Sequence, residues 1–445
     1  MQDKIGRGGS TARGNLLVAR YSVPNGKKMV EFEIPDGVEV TVVESRKLPV
    51  LPDAERAIRE AVANPIGSRR LQAMVQPGQK VAIIVTDITR KLPEDIILSV
   101  LIEELLAGGI RLDDITLVVA TGTHRPNTRE ELVDMFGEEN VARLRFINHN
   151  AWDKESLVYL GKSQRGIPLV VNKYVAAADI KISTGVIETH LLAGYSGGVK
   201  SVAVGVAGAE TIAATHNYQV MAETRLGVIE GNTFRDFLTE AAMAIGLDFI
   251  VNVVQTGNKE LVRVVAGHPV AAFLEGVKTA RAMYEVEIDH QADIVIAGVG
   301  YPKNRDLYQA TRAANTSIFG PRPVVKKGGV IIIPASCEDG FGHPGYVHWM
   351  AASGGPDDII EHAAKEGFAP GDQKALILAW ILKQARVVVT DCEIPAGELK
   401  KVYLEAMPTL QEAVNREIAG RTGVRVIIIP DALLTLPILR KQQHL

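Results

Sequence analysis

Short runs of almost unbroken apolar residues recur along this chain, each followed by a polar, glycine-containing exit and then by a longer amphipathic stretch. Lys80 to Val85, Ile115 to Ala120 and Asp179 to Ile182 are the first three. A run without polar alternation is what a strand buried on both faces requires, so these are predicted strands of a covered sheet. Between them, the pattern from about Pro93 to the Gly108-Gly109 stop predicts a helix whose proline suits the first turn. Asn127 with Glu130 three residues on predicts a capping box, opening a helix that ends near Gly137. Further helices are expected around Asn232 to Ile245 and Pro269 to Tyr284. The strand grammar then resumes at Asp293 to Gly298, Gly329 to Pro334, Ala385 to Thr390 and Val424 to Pro430. Ahead of all this, Lys28 to Ile34 and the Val38 to Glu44 run read as a small antiparallel start around the Pro35-Asp36-Gly37 turn. Residues 1–14, polar and glycine-rich, are expected to be a mobile leader.

Strands alternating with helices imply right-handed crossovers and an α/β fold with mainly parallel sheets, in which all strand exits lie on one edge. A chain of 445 residues exceeds one ordinary core. Two α/β domains are expected, residues 1–287 and residues 288–445, the second closing an active-site cleft against the first. Ligands of such sheets bind at the carboxyl edge. Asp87, Arg90, His124, His190 and Lys200, spread over more than a hundred positions, should therefore meet on one rim.

Charge and composition narrow the function classes. The net charge of -3 and the lack of a Lys/Arg block leave no electrostatic footprint for nucleic acid or an anionic membrane. Two cysteines, Cys337 and Cys392, show no metal-type spacing and make a disulfide framework improbable. The start of the chain lacks the apolar core of a signal peptide, and no run reaches the roughly 18 apolar residues of a membrane span. The expectation is a cytoplasmic protein acting on a small molecule.

The chemistry concentrates between Asp179 and Asn217, where His190, Ser196-Gly197-Gly198, Lys200 and His216 follow one strand. With His124, these histidines lie in or just after glycine-rich exits, where packing rarely calls for imidazole. They could shuttle protons or ligate a metal. A three-histidine zinc site, and hence a hydrolase, is one reading, although no H-E-x-x-H spacing supports it. Ser196, Gly197 and Gly198 with Lys200 look like a meeting of backbone amides and an ammonium around an anion, without the spacing of a P-loop. Arg90 offers a planar fork for a carboxylate, and Asp87 beside it could be no more than its ion-pair partner.

Taken together, Asp87-Ile88-Thr89-Arg90, Thr121-Gly122-Thr123-His124-Arg125, Ile187-Glu188-Thr189-His190, Ala193-Gly194-Tyr195-Ser196-Gly197-Gly198-Val199-Lys200 and His216-Asn217 resemble, in order, the nickel-pincer-nucleotide-dependent lactate racemases and their 2-hydroxyacid racemase and epimerase relatives. The resemblance runs from about residue 15 to the C-terminus. It implies a nickel-pincer nucleotide, a pyridinium mononucleotide with two sulfur donors and one carbon donor to the metal. It also implies that Lys200 tethers the cofactor, with Asp87, Ser196, Gly197 and Gly198 around it, and that His216 ligates nickel. His124 and His190 become the two acid/base groups, one for each face of the substrate. Two histidines suit inversion by transient oxidation: one takes the hydroxyl proton as hydride leaves C2, and hydride then returns to either face of a 2-oxo acid. Cofactor-maturation proteins are implied as partners, and the oligomeric state is left open.

Two positions depart from the lactate racemase pattern. In Tyr308-Gln309-Ala310-Thr311-Arg312, arginine stands where a lysine is usual, and Asp372-Gln373 is followed by Lys374 instead of tryptophan. With Arg90 on the C1 carboxylate, and Tyr308, Gln309, Arg312 and Lys374 around the rest, the expected substrate is larger or more anionic than lactate, such as a malate-like dicarboxylate or a sugar acid. The alternatives are lactate racemase proper, the zinc hydrolase and a non-catalytic carrier of the nickel nucleotide.

Overall fold

The two apolar series form two separate six-stranded sheets, one in each of two units. The computed structural model describes residues 18–369 and 371–440, so the leader expected over residues 1–14 lies outside the described residues. One unit is Lys47–Met283; the other joins the described residues up to Arg46 to those from Tyr284 onward.

The start of the chain corrects the expected domain division. Strands β1 (Val18–Gly26) and β2 (Lys28–Pro35) are the anticipated antiparallel hairpin, in register from Val18 with Pro35 to Asn25 with Lys28. Strand β3 (Glu39–Val42), however, does not extend it. It lies parallel to Arg425–Ile429, with Val40 packed on a core that includes Ile294, Ile296 and Ile428. Residues 18–46 thus belong with the C-terminal unit, not with 47–287. The run's alternation gives it an apolar face, and that face alone does not specify which sheet receives it.

The 47–283 unit contains β4 (Val81–Thr86), β5 (Ile115–Ala120), β6 (Arg145–Asn148), β7 (Ile180–Val186), β8 (Phe249–Gln255) and β9 (Leu261–Gly267). Their order is β9-β8-β7-β4-β5-β6. All neighbours are parallel except β8 and β9, which run antiparallel. Every residue of β4, β7 and β8 is buried, including the polar Lys181, Ser183, Thr184, Asn252 and Gln255. Helix α1 (Glu94–Ala107) adds Ile97, Leu98, Leu101 and Leu105 to the same core, and α2 (Thr233–Ile245) follows the catalytic candidates in sequence. The capping box falls one residue later than predicted: Thr128 accepts from the Glu131 N–H, and Glu131 accepts from the Thr128 N–H. Asn127-Glu130 and Thr128-Glu131 carry the same signature, and the sequence pattern cannot rank them.

The other unit contains β10 (Ala292–Ala297), β11 (Val325–Pro334), β12 (Ala385–Thr390), β13 (Glu405–Met407) and β14 (Arg425–Ile429). With β3 they form a wholly parallel sheet ordered β13-β12-β11-β10-β14-β3. Helix α3 (Gln373–Gln384) packs on it. The break after Met283 lies within a few residues of the predicted one. Among the described residues no helix is long and apolar enough to cross a membrane.

Candidate active site

In the 47–283 unit, β5, β4 and β7 are adjacent and parallel, so their exits share one edge. That adjacency carries Asp87, His124 and the His190 segment. Asp87 Oδ2 bonds His124 Nδ1 at 2.7 Å, while Oδ1 accepts from the Thr89 hydroxyl at 2.6 Å and the Thr89 N–H at 3.2 Å. Burial works to raise the Asp87 carboxyl, but the bonds from His124 and Thr89 outweigh it and hold it below its ordinary range. An ionised Asp87 accepts the proton on His124 Nδ1, which leaves a lone pair on Nε2 of the neutral ring. The Asp87 side chain is buried and that of His124 is 62 % exposed, so the imidazole is available to a ligand.

His190 is held differently. Thr189–His190 bridges Gly194–Tyr195, and the ring Nδ1 accepts from the main-chain N–H of Leu192 at 3.3 Å and of Ala193 at 3.2 Å. An Nδ1 that accepts places the proton of the neutral ring on Nε2. The two expected acid/base groups thus have opposite tautomers, one with a lone pair and one with a proton at Nε2. Glu188, two residues before His190, lies 3.7 Å from Arg90 and 3.4 Å from Lys259. Arg90, expected to face a carboxylate, already has an acidic neighbour.

Lys200 opens a wide, π-helical turn over Ser201–Gly205. Burial, then the cations of Arg90 and Arg235, push its amine down to about 7 against the pull of Asp87. His216 caps the C-terminal end of the helix Ala209–Thr215, bonds Ile212 O through Nδ1 at 3.0 Å and meets the Phe234 ring edge-on. Burial pushes its imidazole down to about 4, and Lys200 adds to that lowering. A neutral His216 donating from Nδ1 keeps Nε2 as a metal-donor nitrogen, the arrangement a ligating histidine needs.

Ser196 and Gly198, expected as anion donors, have their hydrogen bonds inside the protein. The Ser196 hydroxyl donates to Val186 O at 2.7 Å and accepts from the Glu188 N–H at 3.0 Å; the Gly198 N–H donates to Asn252 Oδ1 at 2.6 Å. Gly198 has φ +58, and a Cβ there would stand 2.8 Å from the Phe273 ring, so glycine is required by packing. In this conformation the Ser196-Gly197-Gly198 turn sets where Lys200 sits.

Two groups escaped the sequence reading. Arg235 on α2 is 4 % exposed; its guanidinium bonds the carbonyls of Ala193 and Tyr195, stacks 4.4 Å from the centre of the Phe273 ring and leaves Nη1 without a hydrogen-bond partner. An arginine amid the buried Phe234, Phe237 and Leu238 was the available signal. Glu94, 1 % exposed at the head of α1, ties Thr86 to Thr184 across β4 and β7.

The C-terminal unit brings together its own candidates. Asp306 accepts from the Gln309 N–H at 2.8 Å, and Arg312 donates to Gln309 Oε1 at 2.9 Å. Lys374, in the first turn of α3, is 2 % exposed; its Nζ lies 5.3 Å from the centre of the Tyr308 ring and has no hydrogen-bond partner among the described residues. Burial and the Arg312 cation push its amine down to about 7, partly opposed by Asp306. The cation expected on a pocket wall is thus a desolvated amine against an aromatic face.

Among the described residues no group of three or more His, Cys, Asp or Glu side chains gathers closely enough to hold a metal ion. The three-histidine zinc set is not formed, and a metal at His216 would need donors from a bound group.

Comparison with known proteins agrees along the chain. Residues 25–227 match the lactate racemase N-terminal domain family and residues 288–436 the lactate racemase C-terminal domain family. A lactate racemase of Thermoanaerobacterium thermosaccharolyticum is 31% identical over 425 residues, covering 94% of this chain and 98% of its own. One from Lactiplantibacillus plantarum is 33% identical over 388 residues, covering 85% and 90%. The apoprotein structure of a T. thermosaccharolyticum lactate racemase superposes with a TM-score of 0.85 at 30% identity, over 95% of this chain and 100% of that one. A solved Thermotoga maritima protein, at 20% identity and TM-score 0.66, covering 89% of this chain and 100% of its own, shares the fold.

Proposed function

Because this chain belongs to the lactate racemase family, we propose that it inverts C2 of a 2-hydroxyacid by transient hydride transfer, using a nickel-pincer nucleotide. When bound, that nucleotide supplies a reversible hydride acceptor. Lys200 and His216 fit it: one is a desolvated amine able to act as a nucleophile near neutral pH, the other an imidazole with Nε2 left for a soft divalent metal. Supply of the nucleotide would involve maturation proteins.

The observation that carries the reading is the 2.7 Å bond between Asp87 and His124. It orients the ring, fixes Nε2 as the basic nitrogen and stabilises the imidazolium formed when His124 takes the substrate hydroxyl proton. His190, with its proton on Nε2, is suited in the resting protein to donate toward the oxygen. Arg90 orients the C1 carboxylate, exchanging its looser contact with Glu188 for a paired one.

The decisive experiment uses cofactor-loaded protein and a single-enantiomer 2-hydroxyacid deuterated at C2. Hydride transfer predicts retention of deuterium in the inverted product; washout into solvent would replace this route with proton abstraction. Changing both His124 and His190 to Ala should abolish inversion while cofactor mass and absorbance persist, which separates an enzyme from a carrier. Surviving inversion would sink the acid/base assignment.

For the substrate, we infer a 2-hydroxyacid larger or more anionic than lactate, a malate-like dicarboxylate or a sugar acid. Its support is two cationic side chains near Tyr308 and Gln309: Arg312, which bonds Gln309, and the buried Lys374, whose Nζ has no hydrogen-bond partner among the described residues. A panel of single enantiomers tests this, and lactate turning over fastest would identify lactate racemase proper.

A further inference from the structure

Cys337 and Cys392 are the chain's only cysteines and stand just past the ends of neighbouring strands, β11 and β12. The last register pair of these strands is Pro334 with Thr390. Main-chain bonding continues beyond it: the Ala335 N–H donates to Thr390 O at 3.1 Å, and the Glu393 N–H donates to Ser336 O at 2.8 Å. Each cysteine is next in sequence to a member of that Ser336–Glu393 pair, and each thiol acts on the other, raising the pKa of Cys337 and lowering that of Cys392. A disulfide requires Cα atoms roughly 4.4–6.8 Å apart, and the Ser336–Glu393 main-chain bond draws the two flanking cysteines toward each other. Cys337 is buried and its φ of +49 is a left-handed conformation unusual outside glycine, so its position is imposed by its surroundings. Cys392 is half-buried and reachable from solvent.

The loop beginning at Cys337 also supports the Tyr308 segment. The Cys337 N–H donates to Asn304 O at 2.9 Å and the Asp339 N–H to Arg305 O at 2.7 Å; in return the Leu307 N–H donates to Gly340 O at 2.9 Å and the Tyr308 N–H to Phe341 O at 3.2 Å. Four main-chain bonds thus link this loop to the segment carrying Tyr308, Gln309 and Arg312.

We propose that Cys337 and Cys392 are a reversible disulfide site, formed by exchange with a low-molecular-weight disulfide, whose closure restrains the 337–341 loop and through it the Tyr308 segment. The Cys392 thiolate attacks one sulfur of the small disulfide, forming a mixed disulfide and releasing one small thiol after protonation. Cys337 then gives up its proton to solvent and attacks Cys392 Sγ, expelling the second thiol. Two protein thiols are oxidised to one disulfide while one small disulfide is reduced to two thiols. The environment favours this order: the Cys337 thiol is held above its ordinary range by Cys392 and by burial, while Cys392, lowered by Cys337 and only half-buried, is the accessible nucleophile.

The test equilibrates the full chain with mixtures of oxidised and reduced glutathione. The expected result is loss of both titratable thiols, an intact mass lower by two hydrogens with no glutathione attached, and a peptide joining Cys337 to Cys392, all reversed by dithiothreitol. In hydrogen exchange, the Leu307 and Tyr308 amides should slow on oxidation. Cys392→Ser should take up no glutathione at the buried Cys337. A stable glutathione adduct, unreacted thiols or a modified Cys337 in that variant would overturn the site, and unchanged exchange at Leu307 and Tyr308 would overturn its proposed effect. None of these readouts depends on cofactor or substrate.

Discussion

Replacing Glu94 by glutamine should remove a pH dependence of stability that lies beneath the proposed Asp87–His124 acid/base pair. Oε1 of Glu94 accepts from the Thr86 N–H at 3.2 Å, and its contacts to the hydroxyls of Thr86 and Thr184 are both 3.0 Å; Oε2 has no hydrogen-bond partner. The Thr86 hydroxyl also lies 3.2 Å from Arg90 O, so when it donates there it can accept a proton from Glu94. Burial raises the carboxyl to about 7 from its ordinary 4.5, outweighing the bonds from the two threonines. The folded state therefore holds a proton that the unfolded chain releases, so the contribution is complete below the unfolded value and is lost as pH rises through the folded one. With these two values, linkage removes about 2.5 kcal/mol between about pH 5 and about pH 8. A glutamine side chain at this position would keep the shape and carry no charge. The assay is urea unfolding of wild type and Glu94→Gln at both pH values, together with hydrogen exchange of the β4 and β7 amides. Wild type minus variant should change by about 2.5 kcal/mol across that range, other titrating groups cancelling. Parallel pH curves for the two proteins would refute a buried, protonated Glu94.

Asp87→Asn should lower kcat by about 10²–10⁴-fold per bound cofactor, because the base loses its orienting anion; an unaltered kcat would remove Asp87 from the reaction. Lys200 should react with an amine-directed acylating reagent at a rate half-maximal near pH 7, read by peptide mass; a midpoint near the ordinary lysine value of 10.5 would contradict its desolvation. For a dicarboxylate substrate, KM should rise as pH passes upward through about 7, where Lys374 loses its charge. Lys374→Met should raise that KM at low pH and flatten the profile while leaving KM for lactate little changed; equal effects on both substrates would refute a distal role.

The sequence carried the parallel architecture because strands such as β4 and β10 are buried on both faces and read as nearly continuous apolar runs. It also grouped Asp87 with His124, since adjacent parallel strands share an exit edge. It could not assign β3, whose alternation fits any sheet offering an apolar face, nor the antiparallel β9. At the site, residue types showed which side chains were chemically able, while tautomer and engagement depended on neighbours distant in sequence. His190 accepts from local main-chain N–H groups, Gly198 is taken up by Asn252, and Arg90 meets Glu188. Arg235 and Glu94 were missed because a charged residue within an apolar helix pattern reads as a surface position until its carbonyl or hydroxyl partners are seen.

The placement of β3 also orders events during synthesis. Its parallel neighbour β14 is made almost last, so the sheet that receives Glu39–Val42 cannot close until Arg425–Ile429 leaves the ribosome. All of Lys47–Met283 emerges before then, and at about 5–20 residues per second it has many seconds to fold while β3 waits for its neighbour. The unit bearing Asp87, His124 and Lys200 is therefore expected to fold first in the cell. In that interval β3 lacks even its one native neighbour, and its pairing with a strand of another chain is the misfolding route this topology must avoid.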